Sequence, residues 1–445
     1  MRKFIPLLVS LLLSSALVQS ADPAPPVFET PPAITTPAPQ TPASSEKTLE
    51  TPSSSALTST FRYALGGVLE TQLGLNTVGA VSGFGAYTLK FSGSIGAEEA
   101  PTAAFSAKLH SSVDLAGVTQ VNLGETVLTV YVGDFDLQAG NLRVNWGAVD
   151  LFGVLNTINP QDFATRESLP VLALRGTWNL PKNQRLEAVL IPGFTPSTLP
   201  STPSGGSSVP PSLPPNVVGL DPVLDLRPPT TLENVQFGLR FSSDVKVLDG
   251  GDVALSFYSG RRHTPTLSTR LQPTALEGQF QAQPVLNYDR VSVLGADSNL
   301  TLGDVALRGE LAYTFTEDPG GTNREIGNPS LEGTVQAEYT LEKINLTVIL
   351  NARWQKGESG SSDTTGVNTA LVASSELDTR TVLSGVWVQS LFDGSGTLLP
   401  SLSYTLADGL RAEGRLGLNY GGTGSSLNPG GTLSGQVYLG FKFSF

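Results

Sequence analysis

Beyond Phe61, apolar and polar side chains alternate with a period of two, and no 3.6-residue stripe persists over several turns. Three segments carry the pattern clearly. Val335, Ala337, Tyr339 and Leu341 oppose Glu332, Thr334, Gln336, Glu338 and Thr340. Ile344, Leu346, Val348, Leu350, Ala352 and Trp354 oppose Asn345, Thr347, Asn351 and Arg353. Leu410, Ala412, Leu416, Leu418 and Tyr420 oppose Arg411, Glu413, Arg415 and Asn419. Successive strand side chains point to opposite faces, so each segment predicts a strand with one apolar face and one face that tolerates water. The carboxyl terminus follows suit: Val437, Leu439, Phe441, Phe443 and Phe445 share a face opposite Tyr438, Gly440, Lys442 and Ser444.

Followed through the chain, the alternation predicts eighteen strands. They lie near 61–75, 83–95, 102–116, 125–133, 136–146, 171–179, 184–192, 232–243, 250–260, 285–300, 303–317, 330–343, 344–357, 367–376, 380–391, 396–406, 409–420 and 433–445. Tight connections near Asp134, Pro181 to Gln184, Gly303, Glu342 to Asn345, Asp378 and Ala407 to Gly409 alternate with longer loops, the longest at 147–170, 193–231, 261–284 and 358–366. Short turns on one side, long loops on the other and an even strand number are the design of an outer-membrane β-barrel. The expected fold is therefore all-β, a transmembrane antiparallel barrel of about 18 strands, with 16 the nearest alternative. A soluble β-sandwich also alternates, but a chain of this length would divide into modules. No Pro- or Gly-rich linker divides 61–445; the nearest candidate, at 193–231, reads as a long outer loop. The exposed phenylalanines of the last strand then face lipid, and a terminal Phe445 is the kind of signal that barrel assembly machinery receives.

The amino terminus has a different composition. Arg2 and Lys3, an apolar run and a small-residue end at Ser20 predict a cleaved signal peptide over 1–20. Residues 21–60 carry nine prolines and few large apolar side chains, which predicts a disordered periplasmic segment ahead of the barrel at 61–445. Such a tail is a spacer, or a contact for cell-wall polymer. The formal charge of −12 argues against a nucleic-acid partner. Cysteine is absent, which excludes disulfides and thiolate chemistry. Only two histidines occur, and neither a nucleophile elbow nor a zinc or phosphate-binding motif is present. No enzymatic activity, catalytic residue, cofactor or metal is expected. His110 falls on a polar face with Lys108 and Asp114, as a wall residue; His263 follows Arg261 and Arg262 and reads as part of a surface cation patch.

One region is distinctive. Arg143, Asn145, Trp146 and Gly147 end a strand, followed by Asn159-Pro160-Gln161-Asp162, Leu169-Pro170 and Ile191-Pro192. This resembles a family of outer-membrane barrels known as a domain of unknown function, akin to alginate-export-type channels. Arg308-Gly309-Glu310 within a later strand and the segment from Pro400 to Leu416 resemble it too, so the likeness covers most of 61–445. It implies a channel-like barrel in the outer membrane; the Pro/Gly/Ser-rich 193–231 loop and the Pro-rich amino terminus depart from the pattern.

The lumen and outer loops are then where function belongs. The alternation assigns Arg62, Lys90, Lys108, Arg143, Arg175, Arg185, Arg240, Arg308, Arg353, Arg411, Arg415 and Lys442 to the lumen. Against them it sets Glu70, Asp114, Glu187, Glu310, Glu332, Glu338, Glu342 and Glu413. The inside thus leans positive although the chain is acidic. The expected function is a porin-like channel passing small hydrophilic, even anionic, solutes. Its pore-lining candidates are Arg143, Arg308, Glu310, Arg353, Arg411, Glu413, Arg415, Lys108 and His110, and its loop motif is Asn159, Pro160 and Asp162. Arg143 is expected to outweigh Arg308, because Glu310 lies two positions from Arg308 on the same face. The alternative is a structural envelope barrel whose tail ties the outer membrane to the cell wall.

Overall fold

A computed structural model describes residues 60–76, 81–97, 101–115, 117–163, 167–198, 216–425, 427–428 and 433–445. The signal peptide expected at 1–20, and the Pro-rich segment up to residue 59, lie outside them.

The chain forms β1 (Thr60–Asn76), β2 (Val81–Gly96), β3 (Pro101–Asp114), β4 (Thr119–Val132), β5 (Phe135–Leu142), β6 (Val171–Leu180), β7 (Gln184–Ile191), β8 (Val217–Leu220) and β9 (Leu224–Leu226). It continues through β10 (Gln236–Val245), β11 (Gly251–Arg261), β12 (Thr266–Pro273), β13 (Phe280–Asn287), β14 (Arg290–Leu302), β15 (Val305–Thr316), β16 (Ser330–Leu341) and β17 (Ile344–Gln355). The last are β18 (Thr364–Glu376), β19 (Thr381–Ser390), β20 (Gly396–Ala407), β21 (Leu410–Tyr420) and β22 (Ser434–Ser444). Eighteen of these make one antiparallel sheet in which each strand pairs with the next; β1 pairs with both β2 and β22, so the sheet closes into a barrel. Closure leaves no unpaired strand edge, the condition for crossing a bilayer with strands. At the seam Gly67 and Phe445 exchange backbone hydrogen bonds of 3.0 and 3.1 Å, so the last residue is held rather than frayed.

Which face is which follows from exposure. Leu311, Val335, Leu439 and Phe441 are 51%, 59%, 63% and 53% exposed on the outside of the wall. Their lumenal neighbours Glu310, Thr334 and Gln336 are buried. An apolar belt outside and polar groups inside is the inverse of a soluble domain.

The structure corrects four boundaries. The strand expected over 125–133 begins at Thr119. The strand expected over 136–146 stops at Leu142, because residues 143–146 turn into the barrel. The strand expected over 232–243 begins at Gln236, after a 3-10 turn at Leu232–Asn234. The strand expected over 285–300 divides: Phe280–Asn287 belongs to another sheet, and the barrel strand starts at Arg290. That other sheet joins β8, β9, β12 and β13 within the long loops expected at 193–231 and 261–284.

Candidate functional site: a loop pinned inside the barrel

The connection from β5 to β6, residues 143–170, is the centre of the interior. It is first stiffened by its own Asn-Pro motif. The Asn159 carboxamide clamps Val144, accepting from its N–H at 3.2 Å and donating to its carbonyl at 2.8 Å. Pro160 is fully buried, and its carbonyl accepts from the N–H of Leu169 at 2.7 Å. Asp162 donates its N–H to the Glu167 carbonyl and bridges to Thr198. The distinctive motif of the sequence is thus a brace for the loop.

The braced loop reaches a wall six strands away. Ala148 and Val149 donate their N–H groups to Glu310 Oε1 at 2.7 Å each, while Val154 and Leu155 donate to Oε2 at 2.7 and 3.1 Å. One carboxylate on β15 therefore gathers four backbone donors of a turn. Gly147, with φ of 107°, makes room: a Cβ there would lie 2.4 Å from Glu310 Oε1. Beside it Arg308 donates to Asp150 at 2.9 Å and stands 3.3 Å from Glu338. From β16, Thr334 donates to the Phe152 carbonyl at 2.7 Å, and Gln336 exchanges hydrogen bonds with Asp150. A buried carboxylate satisfied by several N–H groups is favourable, because each of those donors would otherwise be orphaned in a dry site.

The other side of the loop is apolar. Trp146, Leu155 and Ile158 are buried with Val189, Ile191, Tyr258, Val291, Val293 and Ala312, all on the inner wall. Two inward glycines receive them by close approach. A Cβ on Gly238 would meet Trp146 at 2.6 Å, and one on Gly295 would meet Leu155 at 2.4 Å. So the lumen is filled along β6 to β16, and beyond that the inner wall carries exposed charge. There Lys90, Arg353, Arg411 and Lys442 face inward yet are exposed.

The remaining predicted residues separate into pairs and free groups. Lys108 meets Glu125 at 2.8 Å, and Arg415 meets Glu413 through two bonds of 2.6 and 2.8 Å. His110 Nδ1 lies 3.0 Å from the Thr88 hydroxyl, as a wall residue. Arg353 bonds Gln355 at 3.2 Å, and Arg411 sits opposite Lys442 in the register of β21 and β22. Arg143 is beyond the end of β5, in the loop, with Glu167 at 3.6 Å. The expectation that Glu310 neutralises Arg308 is corrected: Glu310 turns to the loop, and Asp150 with Glu338 takes its place.

Sequence reasoning missed the acidic members Glu125, Asp150 and Asp297; the last pairs with Arg240 through two bonds of 2.9 Å. With them twelve basic groups face eleven acidic ones, so the positive lean of the lumen as a whole shrinks to a single charge. It missed the apolar lining too, although β14 carries a signal: Val291, Val293 and Leu294 put apolar side chains on both faces of one strand. His263 is corrected from surface to interior. It is buried, donates from Nδ1 to the Thr195 carbonyl at 2.7 Å and stacks on Phe194 at 5.6 Å. Burial pushes its pKa down.

Residues 124–394 match a family described as "Protein of unknown function (DUF1302)". The chain belongs to this family. The match takes in β5, the pinned loop and the wall strands that hold it. No curated protein matches the chain in sequence. Among solved structures it is similar to OccD3 (OpdP) of Pseudomonas aeruginosa, with a TM-score of 0.52 at 12% identity over 86% of this chain and 91% of that one. OccK2 (OpdF) of the same organism, in complex with glucuronate, gives 0.53 at 11% identity over 86% and 98%. At such identities the family member shares their outer-membrane barrel fold.

Proposed function

We propose that the protein is an outer-membrane channel, not an enzyme, which passes small hydrophilic solutes and favours anions. The observation that carries this reading is the loop: a segment anchored by Glu310 narrows a closed 18-strand barrel without spanning the whole inner wall. Narrowing by a fixed internal loop is a device for selecting solutes, whereas a purely structural barrel has no use for one. The solute path runs along the opposite wall, where Lys90, Arg411 and Lys442 meet water without an ion-pair partner among the described residues. Arg411 and Lys442 are register partners, so two positive charges stand side by side, with Glu70 next to them across β1. Fixed charge of one sign along a narrow aqueous path biases the ions that enter. Support for small acids as cargo comes from OccK2, whose structure holds glucuronate. The kinship of the family with alginate-export-type channels would also fit transport.

The test is the reversal potential of single channels in a salt gradient, in dilute electrolyte where screening is weak. The parent should be mildly anion-selective, and Arg411→Gln with Lys442→Gln should remove the preference while conductance persists. Arg308→Gln should change selectivity less, since its charge is already matched by Asp150 and Glu338. Cation selectivity in the parent would refute the anion preference. A correctly assembled barrel that passes no current would favour the envelope-structural alternative.

A further inference from the structure

The outer wall carries a polar notch where the apolar belt should be continuous. Val291 and Val293 point into the barrel, so Arg290, Ser292 and Leu294 face outward, as the half-exposed Leu294 confirms. In the register of β11 and β14, Arg261 pairs directly with Arg290, and Ser259 with Ser292. Phe237 on β10 flanks one serine and Phe315 on β15 flanks the other; both rings are exposed on the outside. The row therefore reads Phe, Ser, Ser, Phe, a gap two small side chains wide between two aromatic walls, under two arginines. It opens as a cavity of about 230 Å3 at the long-loop end of the wall, and Glu233 and Glu317 also line it.

Two like charges directly opposite one another on neighbouring strands are destabilising unless something lies between them. Nothing among the described residues fully does so. Arg261 is held by neutral acceptors, donating to the Asn234 carboxamide at 3.1 and 2.7 Å and to the Tyr288 carbonyl at 2.9 Å. It makes no ion pair among the described residues. Arg290 donates to the Glu233 carbonyl at 2.9 Å, and Glu317 is 4.0 Å from its Nε. The guanidinium positions are thus fixed by their supports while donors remain for a ligand. Aromatic girdles flank the apolar band of an outer-membrane barrel at both interfaces, and the row with Phe237 and Phe315 stands at the long-loop edge of that band.

We propose that this notch is a lipid-binding site on the barrel's outer wall, taking a lipid whose headgroup carries a phosphate and an ammonium. The phosphate bridges Arg261 and Arg290, removing their repulsion, and planar guanidinium forks suit phosphate oxygens. The ammonium meets Glu233 and Glu317, which balance the two arginines in charge. One acyl chain lies over Ser259 and Ser292 and runs down onto Phe257 and Leu294, the next outward row. The inference is independent of what the channel carries and rests on the barrel's being in a membrane.

The experiment uses the full-length exported protein in a neutral detergent, with dioctanoyl phosphatidylethanolamine as the probe and native mass spectrometry as the readout. The parent should bind one copy saturably. Arg261→Gln with Arg290→Gln should weaken binding by about tenfold or more, as expected for losing charge-assisted bonds. Ser259→Leu with Ser292→Leu, which fills the notch and keeps both arginines, should weaken it as well. Heat-modifiability of each variant verifies the barrel, and competition on the parent needs no variant at all. Equal binding by all three proteins, or no saturable copy on the parent, would overturn the site. Glycerophosphoethanolamine competing as well as the lipid would overturn the lipid in favour of a soluble phosphate ester. Tighter binding of dioctanoyl phosphatidic acid would overturn the role given to the two carboxylates.

Discussion

Glu310 holds the interior loop by accepting four N–H groups, and no other side chain of similar shape can do this. A glutamine would present one oxygen and one NH2 to the same four donors, so two N–H groups would face a donor. Each buried donor left unpaired costs about 1–3 kcal/mol. Glu310→Gln should therefore loosen the loop while leaving the wall intact: conductance should rise and become noisier, with unchanged heat-modifiability. Gly147→Ala should act in the same direction, since its Cβ would collide with that carboxylate. His263 gives a second prediction. Burial lowers its pKa in the folded protein, so below its unfolded value near 6.5 the unfolded chain binds the proton more readily. Its contribution is complete above that pH and declines as pH falls towards the folded value. Protease resistance of the loops around 193–198 and 262–266 should thus drop between pH 7.5 and 5 in the parent. His263→Gln should flatten that slope.

At the scale of the element, β22 closes the barrel, and its outward face is Val437, Leu439, Phe441, Phe443 and Phe445. Replacing Phe441 and Phe443 with Asp puts charge on the lipid face. Arg or Lys there costs roughly 2–4 kcal/mol at mid-bilayer, and acidic residues less. The double variant should lose assembled protein, measured as heat-modifiable material in the membrane fraction, while whatever assembles conducts as the parent does. Normal levels would contradict the role given to this strand. β5 shows the opposite economy: it ends at Leu142 so that Trp146 can leave the wall and pack on Gly238.

At the scale of the whole molecule, the barrel is one closed unit from β1 to β22. Residues 61–445 behind a foreign signal peptide should give a heat-modifiable membrane species with the parent's conductance; well-folded soluble material would contradict this. The interior is asymmetric, with an apolar, hydrogen-bonded filling against β6 to β16 and exposed charges elsewhere. That asymmetry confines any solute path to one side, which is why charge on Arg411 and Lys442 should matter more than charge on Arg308.

Alternation by itself determined the eighteen barrel strands and most of their outward faces, because a period of two is local and contact with lipid favours an apolar side chain whatever its neighbours are. The 3-10 turn at Leu232–Asn234 and the early end of β5 escaped it, since a short apolar run reads alike in a strand and in a packed loop. Only the tertiary structure decided what Glu310 does. Its four partners are backbone groups more than 150 residues away, identical in every sequence, so no side-chain pattern announces them. The same holds for the ion pairs of Arg308 and Arg240 with Asp150 and Asp297: alternation says that a charge faces inward, and only the curvature of the wall and the path of the loop decide which opposite charge it meets.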